Sequence, residues 1–408
     1  MSTIPSLKFE PLAYNTGVAY SQLPTDGSGD LDFTRSSKAT RVNNNGEIEL
    51  MDNSIPRLDY TDGGCPSLLL EPASANLITE GNDISNWAFG RTTRTVTNGV
   101  NPDGTAEQVV VSASAGTNST HRFFSNTVAI TPTEDYTISV YVKKGTSSKV
   151  DIVLRTPTEA GDGFNTCVFD MNNETISNGT FEVFNDDWYR VQSTDSFNTS
   201  TTGKVFIYVY NESGDKSYIA TGNENLYIWG TQIEQGSYAT SYIPTNGSIA
   251  TRLAETLERD NISHLINSEE GVLYFEGSAL EWGSSAGHQV SLSDGSGNNR
   301  IMIFIYSETQ LGLRFNAVGT QLVQQTIYTV SSLSVNSKIA VRWGNGNYSI
   351  YQNGLSIYTQ AIASSPIGLS KLNFSSVTET SPFYGNIKDL RIYKTALTDE
   401  ELTDLTTI

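Results

Sequence analysis

Apolar and polar residues alternate with a period of two in short segments along most of this chain, and that pattern constrains its fold more than any other feature. In YTISVYVKK, Ile138, Val140 and Val142 alternate with Thr137, Ser139 and Tyr141, as in a strand with one buried face. In KVFIYVY, Val205, Ile207 and Val209 share one face, and Phe206, Tyr208 and Tyr210 occupy the other. Further candidate strands are His121 to Ser125, Val150 to Arg155, Cys167 to Met171, Trp188 to Gln192 and Leu226 to Thr231. Turn-rich segments separate them at the spacing of a sandwich or jelly roll. Aromatics at 10% and charged residues at only 17% favour strands over helices. The expected fold class is mostly β: two tandem antiparallel β-sandwiches (jelly rolls) preceded by an irregular N-terminal docking segment.

With 408 residues the chain suits two or three domains. Residues 1–75 are short extended pieces broken by Pro5, Pro11, Gly17 and Pro24. They include a hairpin in which Asn44-Asn45-Gly46 supplies residues tolerant of positive φ. They read as an arm, either packed on the next domain or docking to partner subunits. Residues 76–246 form the first sandwich, closed by LYIWGTQIEQGSYATSYIPT (Leu226 to Thr245). Residues 247–262 are a polar connector with helical propensity, and residues 263–408 form the second sandwich. Within it Asn353-Gly354 predicts a hairpin turn, and Thr398 with Glu401 predicts a capping box on a short closing helix.

The formal charge, 25 − 44 = −19, argues against a nucleic-acid surface. Neutral sugars, bound by stacking and hydrogen bonds, suit such a chain better. Cys65 and Cys167 fall in different predicted domains and form neither a disulfide framework nor a metal pair. No basic and apolar leader follows Met1, and no apolar run approaches a membrane span, so neither a signal peptide nor membrane insertion is expected.

No catalytic constellation is legible. Glu276 and Glu281, the nearest approach to a glycosidase pair, are an odd number of positions apart and would point to opposite faces of a strand. His121, His264 and His288 are scattered, with no metal-ligand spacing and no triad. DGSGNN, from Asp294 to Asn299, resembles a calcium-binding run but reads better as a hairpin loop. No catalytic, metal or cofactor residue is therefore assigned. The outward row Phe206, Tyr208 and Tyr210, joined by Tyr141, is the candidate carbohydrate-binding site. The same rings would instead be packing residues if further structure covers them, as expected of Trp87, Trp188 and Trp229.

Two resemblances add to this reading. PFYGNIKDLRIYKTALTDEELTDL, with the hairpin YSIYQNGLSIY, resembles the closing section of concanavalin A-like lectin/laminin-G sandwiches. In order, DFTRSSKATRVNNNGEIE, IPRLDY, SLLLEPASANLI, NDDWYRV and LYIWGTQIEQGSYATSYIPT resemble structural proteins of tailed bacteriophages. Those are fibre, tail or head-decorating components, often with carbohydrate-binding-module-like jelly rolls, so residues 76–246 are expected to be such a module. The resemblance implies a non-enzymatic virion protein made in the host cytoplasm. It further implies a homotrimer, virion partners docked through residues 1–75, and host-surface glycans as ligands. It leaves room for structural calcium. A polysaccharide depolymerase and a decoration without a ligand are the alternatives.

Overall fold

The alternating segments pair into antiparallel sheets, and the chain is mostly β. The computed structural model describes residues 3–116, 118–156, 166–280, 288–344, 346–377 and 380–408. These divide into two compact units. The middle unit comprises Ala39–Leu50 and Ala73–Arg252; the C-terminal unit comprises the segment up to Lys38, Met51–Pro72 and Leu253–Ile408.

In the middle unit a six-stranded sheet runs in the order Thr92–Thr97, Gln108–Ala113, Asn225–Gln235, Asp135–Lys144, Trp188–Ser196 and Thr180–Val183. An eight-stranded sheet has Asn118–Phe124, Thr202–Val209 and Lys149–Arg155 as neighbours near its centre. The aliphatic faces read from the sequence meet in one core, with Ile138, Val140 and Val142 from the first sheet against Ile152, Val205 and Ile207 from the second. This is a sandwich closed by burial of one face per sheet. The expected hairpin forms, Ala39–Val42 against Ile48–Met51, with Gly46 at φ 78°.

The C-terminal unit has a nine-stranded sheet centred on His288–Ser293 and Arg300–Ser307, and an eight-stranded sheet centred on Gly271–Ala279 and Gly385–Tyr393. Its core joins Leu273, Phe275 and Leu390 to Leu292, Ile303 and Leu313. Asn353 and Gly354 form the expected turn at φ 49° and 82°. The helix Asp399–Thr406 carries the expected capping box and lays Leu402 on Val272, Tyr274 and Tyr351, the outer face of the eight-stranded sheet.

The structure corrects two expectations about domain organisation. Residues 1–75 are not a separate arm. Leu7–Phe9 and Ser67–Leu70 both pair with Gly385–Tyr393, and Leu31–Thr34 pairs with Thr256–Arg259. Strands this short bury their apolar side chains only by joining a larger sheet, and Leu7, Phe9, Leu31, Leu68 and Leu70 are buried in the C-terminal core. Only Ala39–Leu50 and the residues from Ala73 onward belong to the middle unit. The connector 247–262, expected to be polar with some helical propensity, contains two strands: Ala250–Arg252, paired with Ser74–Asn76, and Thr256–Arg259, with a single 3-10 turn beginning after it. Sheet edges offered partners, and tertiary pairing overrode local propensity.

The chain passes between the units after Lys38, Leu50, Pro72 and Arg252. Inside the C-terminal unit one buried cluster gathers residues beside all four passages. Arg35 donates to Glu255 at 2.6 Å and to the carbonyls of Asp52 and Ile55, and Arg57 donates to Glu71 at 2.7 Å and to Glu255. Burial alone would lower the Arg57 pKa; Glu255 and Glu71 outweigh it and push it up. The motifs DFTRSSKATRV, IPRLDY and SLLLEPASANLI thus supply Arg35, Arg57 and Glu71 to a clamp.

Candidate functional site

The row proposed from the sequence does not face solvent. Phe206, Tyr208 and Tyr210 are 3%, 2% and 6% exposed. They do lie on the outer face of the eight-stranded sheet of the middle unit, opposite the core residues Val205, Ile207 and Val209. Cationic side chains cover them. The guanidinium groups of Arg122 and Arg155 lie 5.4 and 5.6 Å from the Phe206 ring centre, and the Lys216 ammonium lies 3.8 Å from that of Tyr208. Arg155 also donates to the Tyr208 hydroxyl at 2.8 Å, and Lys216 pairs with the buried carboxylate of Asp151. Aliphatic stems and cation–π attraction make this lid. The rings pack; they are not a stacking platform.

Tyr141 cannot join that row, because it belongs to the other sheet. Sheets packed core to core turn their outer faces away from each other. Tyr141 sits edge-on to Trp229 and Phe184, each 5.3 Å away, in a cluster with Trp188, Tyr242 and Ile48. Here the stretch Leu226 to Thr245 explains itself. Its strand half, Asn225–Gln235, pairs with Asp135–Lys144, and its return half places Tyr242 over Trp229, with ring centres 4.8 Å apart. Gly230, next to Trp229, has φ 60°, and a Cβ there would sit 3.0 Å from the Tyr141 ring and 3.6 Å from that of Tyr242. A side chain there would be strained as well as crowded. Trp188 and Trp229 are core residues, as expected, and so is Trp87.

Cross-strand pairing defines what remains open on the same outer face. Tyr141 is opposite Arg190, Ser139 is opposite Gln192, Thr137 is opposite Thr194, and Gln192 is also opposite Thr180. Opposed residues share a face. The aromatic cluster covers that face at the Tyr141 end; towards Thr137 it opens into a groove of about 510 Å³. Thr137, Thr180, Gln192 and Thr194 line it, together with Asn178 and Tyr238. All nine lining residues are uncharged, in a chain of net charge −19. The hydroxyls of Thr137 and Thr194 are 2.7 Å apart and within hydrogen-bond reach of the Gly236 and Ser237 carbonyls at 2.8 and 3.1 Å, which the two hydroxyl protons share. Hydroxyl and amide groups both donate and accept, the chemistry needed to hold a neutral polyol. Sequence reading missed this site because Thr, Ser and Gln on an outer strand face look like ordinary solvated positions.

The remaining residues considered from the sequence have local roles. The Glu276 carboxylate accepts from the Tyr274 hydroxyl and the Asn336 amide, each at 2.9 Å. Glu281 lies outside the described residues. In DGSGNN one oxygen of Asp294 accepts from the amide and hydroxyl of Ser296, and the other accepts from Asn299. Burial pushes the Asp294 pKa up, but these bonds win and hold it below the ordinary carboxylate value. The run is a self-bonded turn. Among the described residues no group of three or more His, Cys, Asp or Glu side chains is placed to hold a metal ion, and no helix is long and apolar enough to cross a membrane.

Comparison with known proteins gives one family match, within the C-terminal unit, and a set of distant solved structures. Among curated proteins none matches the chain. Solved structures similar to it include the CBM40 of the Ruminococcus gnavus IT-sialidase, at 19% identity over 35% of this chain and 84% of that one, with a TM-score of 0.30. Domain 4 of AbnA, a GH43 extracellular arabinanase from Geobacillus stearothermophilus, solved with arabinotriose, is 16% identical over 42% and 82% of the two chains, with a TM-score of 0.31. The native heptameric SAP-like pentraxin from Limulus polyphemus is 14% identical over 33% and 69%, with a TM-score of 0.27. Residues 280–403, within the C-terminal unit, match the family described as the concanavalin A-like lectin/glucanases superfamily.

Proposed function

We propose that the protein is a non-enzymatic, carbohydrate-binding structural component of a tailed-bacteriophage virion, a trimeric fibre, tail or head-decorating protein that attaches to host-surface glycans. The observation that carries the binding reading is the groove beside Thr137, Gln192 and Thr194: a concave, uncharged, hydroxyl- and amide-lined site with one tyrosine at its wall. Its volume lies in the range of small-ligand sites, roughly 300–1,000 Å³. The lectin-like match over residues 280–403 is compatible with this reading. The virion assignment rests on the five ordered sequence motifs, several of whose residues build the buried clamp and the aromatic cluster. Binding at one site is expected to be weak, with a trimer gaining strength through multivalency.

The test is titration of the purified protein against neutral oligosaccharides, with reducing ends assayed in parallel. Saturable binding that Gln192→Ala combined with Thr194→Ala removes, at unchanged melting temperature and without new reducing ends, supports the proposal. New reducing ends would establish a depolymerase instead. Binding indifferent to the double substitution would move the site. Antibody-labelled micrographs of virions test the location, and light scattering tests the trimer.

A further inference from the structure

We propose that the C-terminal unit binds an extended, acidic segment of a partner protein, which adds a strand to the free edge Thr320–Tyr328 and sets its carboxylates beside Arg314 and Arg300. Thr320–Tyr328 ends the nine-stranded sheet. Among the described residues it is the longest strand at an end of any sheet, with nine residues where Tyr14–Asn15, at the opposite end of the same sheet, has two. Proteins blunt such edges with charge, proline, bulges or shortness. TQLVQQTIY carries neither a charge nor a proline, and its register shift lies near its start, opposite Phe315 and Asn316.

The ladder shows which backbone groups this edge offers. The Thr329 amide donates to the Thr309 carbonyl at 2.9 Å, so those two residues form a bonded pair. Bonded and non-bonded pairs alternate along an antiparallel ladder. Tyr328 opposite Gln310, Thr326 opposite Gly312 and Gln324 opposite Arg314 are therefore non-bonded pairs. The backbone N–H and C=O of Gln324, Thr326 and Tyr328 point away from the sheet, and all three residues are exposed. The edge strand of the facing sheet, Leu355–Ala361, approaches near Leu322, whose carbonyl accepts from the Gln360 amide at 3.4 Å.

Charge is the second, independent observation. Arg314 shares the outer face with Gln324, and Arg300 is its diagonal neighbour there, opposite Asn316. Arg314 Nη2 donates to the Gln324 side-chain oxygen at 3.1 Å, so its guanidinium leans towards the free edge. Neither arginine has a carboxylate partner among the described residues, in a chain of net charge −19. Burial, with the Arg314 charge beside it, lowers the Arg300 pKa, and no acid opposes the fall.

These two features select the occupant. Alternate side chains of an added strand stand on the outer face, where acidic ones meet the arginine forks. The intervening apolar ones continue the core face beside Val323 and Ile327. A second copy of this edge would bring Gln324, Thr326 and Tyr328 to the arginines and no carboxylate. An acidic saccharide would leave the backbone edge unused. An acidic strand satisfies both, by the strand-addition mode of peptide recognition.

The probe is a fluorescently labelled peptide of alternating glutamate and valine, matched in length to the strand and titrated against the full-length protein by anisotropy. It should bind saturably, and less tightly as salt rises. The same peptide with lysine for glutamate should bind roughly tenfold more weakly or worse. Gln324→Glu gives Arg314 a carboxylate of its own and puts a negative charge on the edge. Thr326→Pro removes an outward N–H that the fold does not use, where an edge strand accepts proline. Each should weaken binding of the acidic peptide by roughly tenfold or more at a nearly unchanged melting temperature. Gln324→Glu leaves the backbone untouched, so it tests the edge independently of any distortion by proline. No saturable binding, or equal binding of the lysine peptide, would overturn the proposal. So would binding that survives both substitutions, which would mark an anion site on the arginine face alone. A solution mass that falls in either variant would overturn it too, by showing that the edge already holds a second copy.

Discussion

Arg57 and Glu255 stand 198 positions apart in sequence and form a two-point ion pair with no exposed side-chain surface, Arg57 Nε donating to Oε1 at 2.8 Å and Nη2 to Oε2. Glu255 also accepts from Arg35 and from the backbone amide of Glu71. One carboxylate therefore holds three segments of the C-terminal unit. A buried pair is weak evidence of net stabilisation, but removing one partner strands the other charge. Glu255→Gln should lower unfolding stability by about 3–5 kcal/mol, measured by denaturant titration. A loss below 1 kcal/mol would show that water reaches the cluster.

Because residues up to Pro72 supply strands to both sheets of the C-terminal unit, a chain shortened to begin at Asn76 should not keep that unit folded. It would lack Leu7, Phe9, Leu31, Phe33, Leu58, Leu68 and Leu70 of the core. Strong binding of a hydrophobic dye and loss of near-ultraviolet circular dichroism are expected. A shortened chain with a sharp, cooperative melt would contradict the pairing described above.

Tyr208→Ala should be a stability variant rather than a binding variant. It removes a ring that is 2% exposed, takes a hydrogen bond from Arg155 and sits under Lys216, a change costing about 3–5 kcal/mol for a buried aromatic. Tyr208→Phe keeps the ring and should cost only about 1 kcal/mol. Glycan binding lost in Tyr208→Ala, with the melting temperature held, would restore the aromatic row as the site.

The pH dependence should separate two kinds of carboxylate. Burial raises the pKa of Glu234, opposed by bonds from Thr240 and by Arg252, and the rise prevails. A raised carboxylate favours the fold while protonated, and its contribution is lost as pH climbs from its ordinary value of 4.5 through the higher folded value. Glu224 is the reverse. Burial pushes it up, but bonds from Thr221 and Gly222 bring it lower, so its contribution is present above 4.5 and lost on acidification. The melting temperature of Glu234→Gln minus that of the parent should rise as pH climbs above 4.5, and that of Glu224→Gln minus the parent should fall as pH climbs from more acid values to 4.5. Flat differences would show that neither group titrates with folding.

Thiol chemistry offers a simple check of the fold. Burial, with Asp151 nearby, pushes the Cys167 thiol up to about 12, and Cys65 is exposed. A thiol reagent should modify one cysteine per chain in the native protein and two after denaturation. Two fast reactions in the native state would mean that the strand Cys167–Asp170 is displaced.

Local chemistry was legible in the sequence: which face of Tyr136 to Lys143 is apolar, that Asn353-Gly354 turns, that Asn44-Asn45-Gly46 turns, and that Thr398 with Glu401 starts a helix. Each depends on neighbours within a few positions, through the period of a strand, the φ tolerance of a residue or the reach of a capping side chain. Pairing between distant segments decided the rest. Alternation separated Phe206, Tyr208 and Tyr210 from the core, but only the neighbouring strands Asn118–Phe124 and Lys149–Arg155 brought Arg122 and Arg155 over them. The short pieces of residues 1–75 look like an arm in isolation, and they become sheet because Gly385–Tyr393 and Thr256–Arg259 present edges to them. The groove at Thr137, Gln192 and Thr194 exists because one end of a sheet face is covered by Tyr242 and Ile48 and the other is not. A sequence fixes which side chains a strand can offer to each face; what covers that face is settled by hydrogen bonds and packing between residues far apart in the chain.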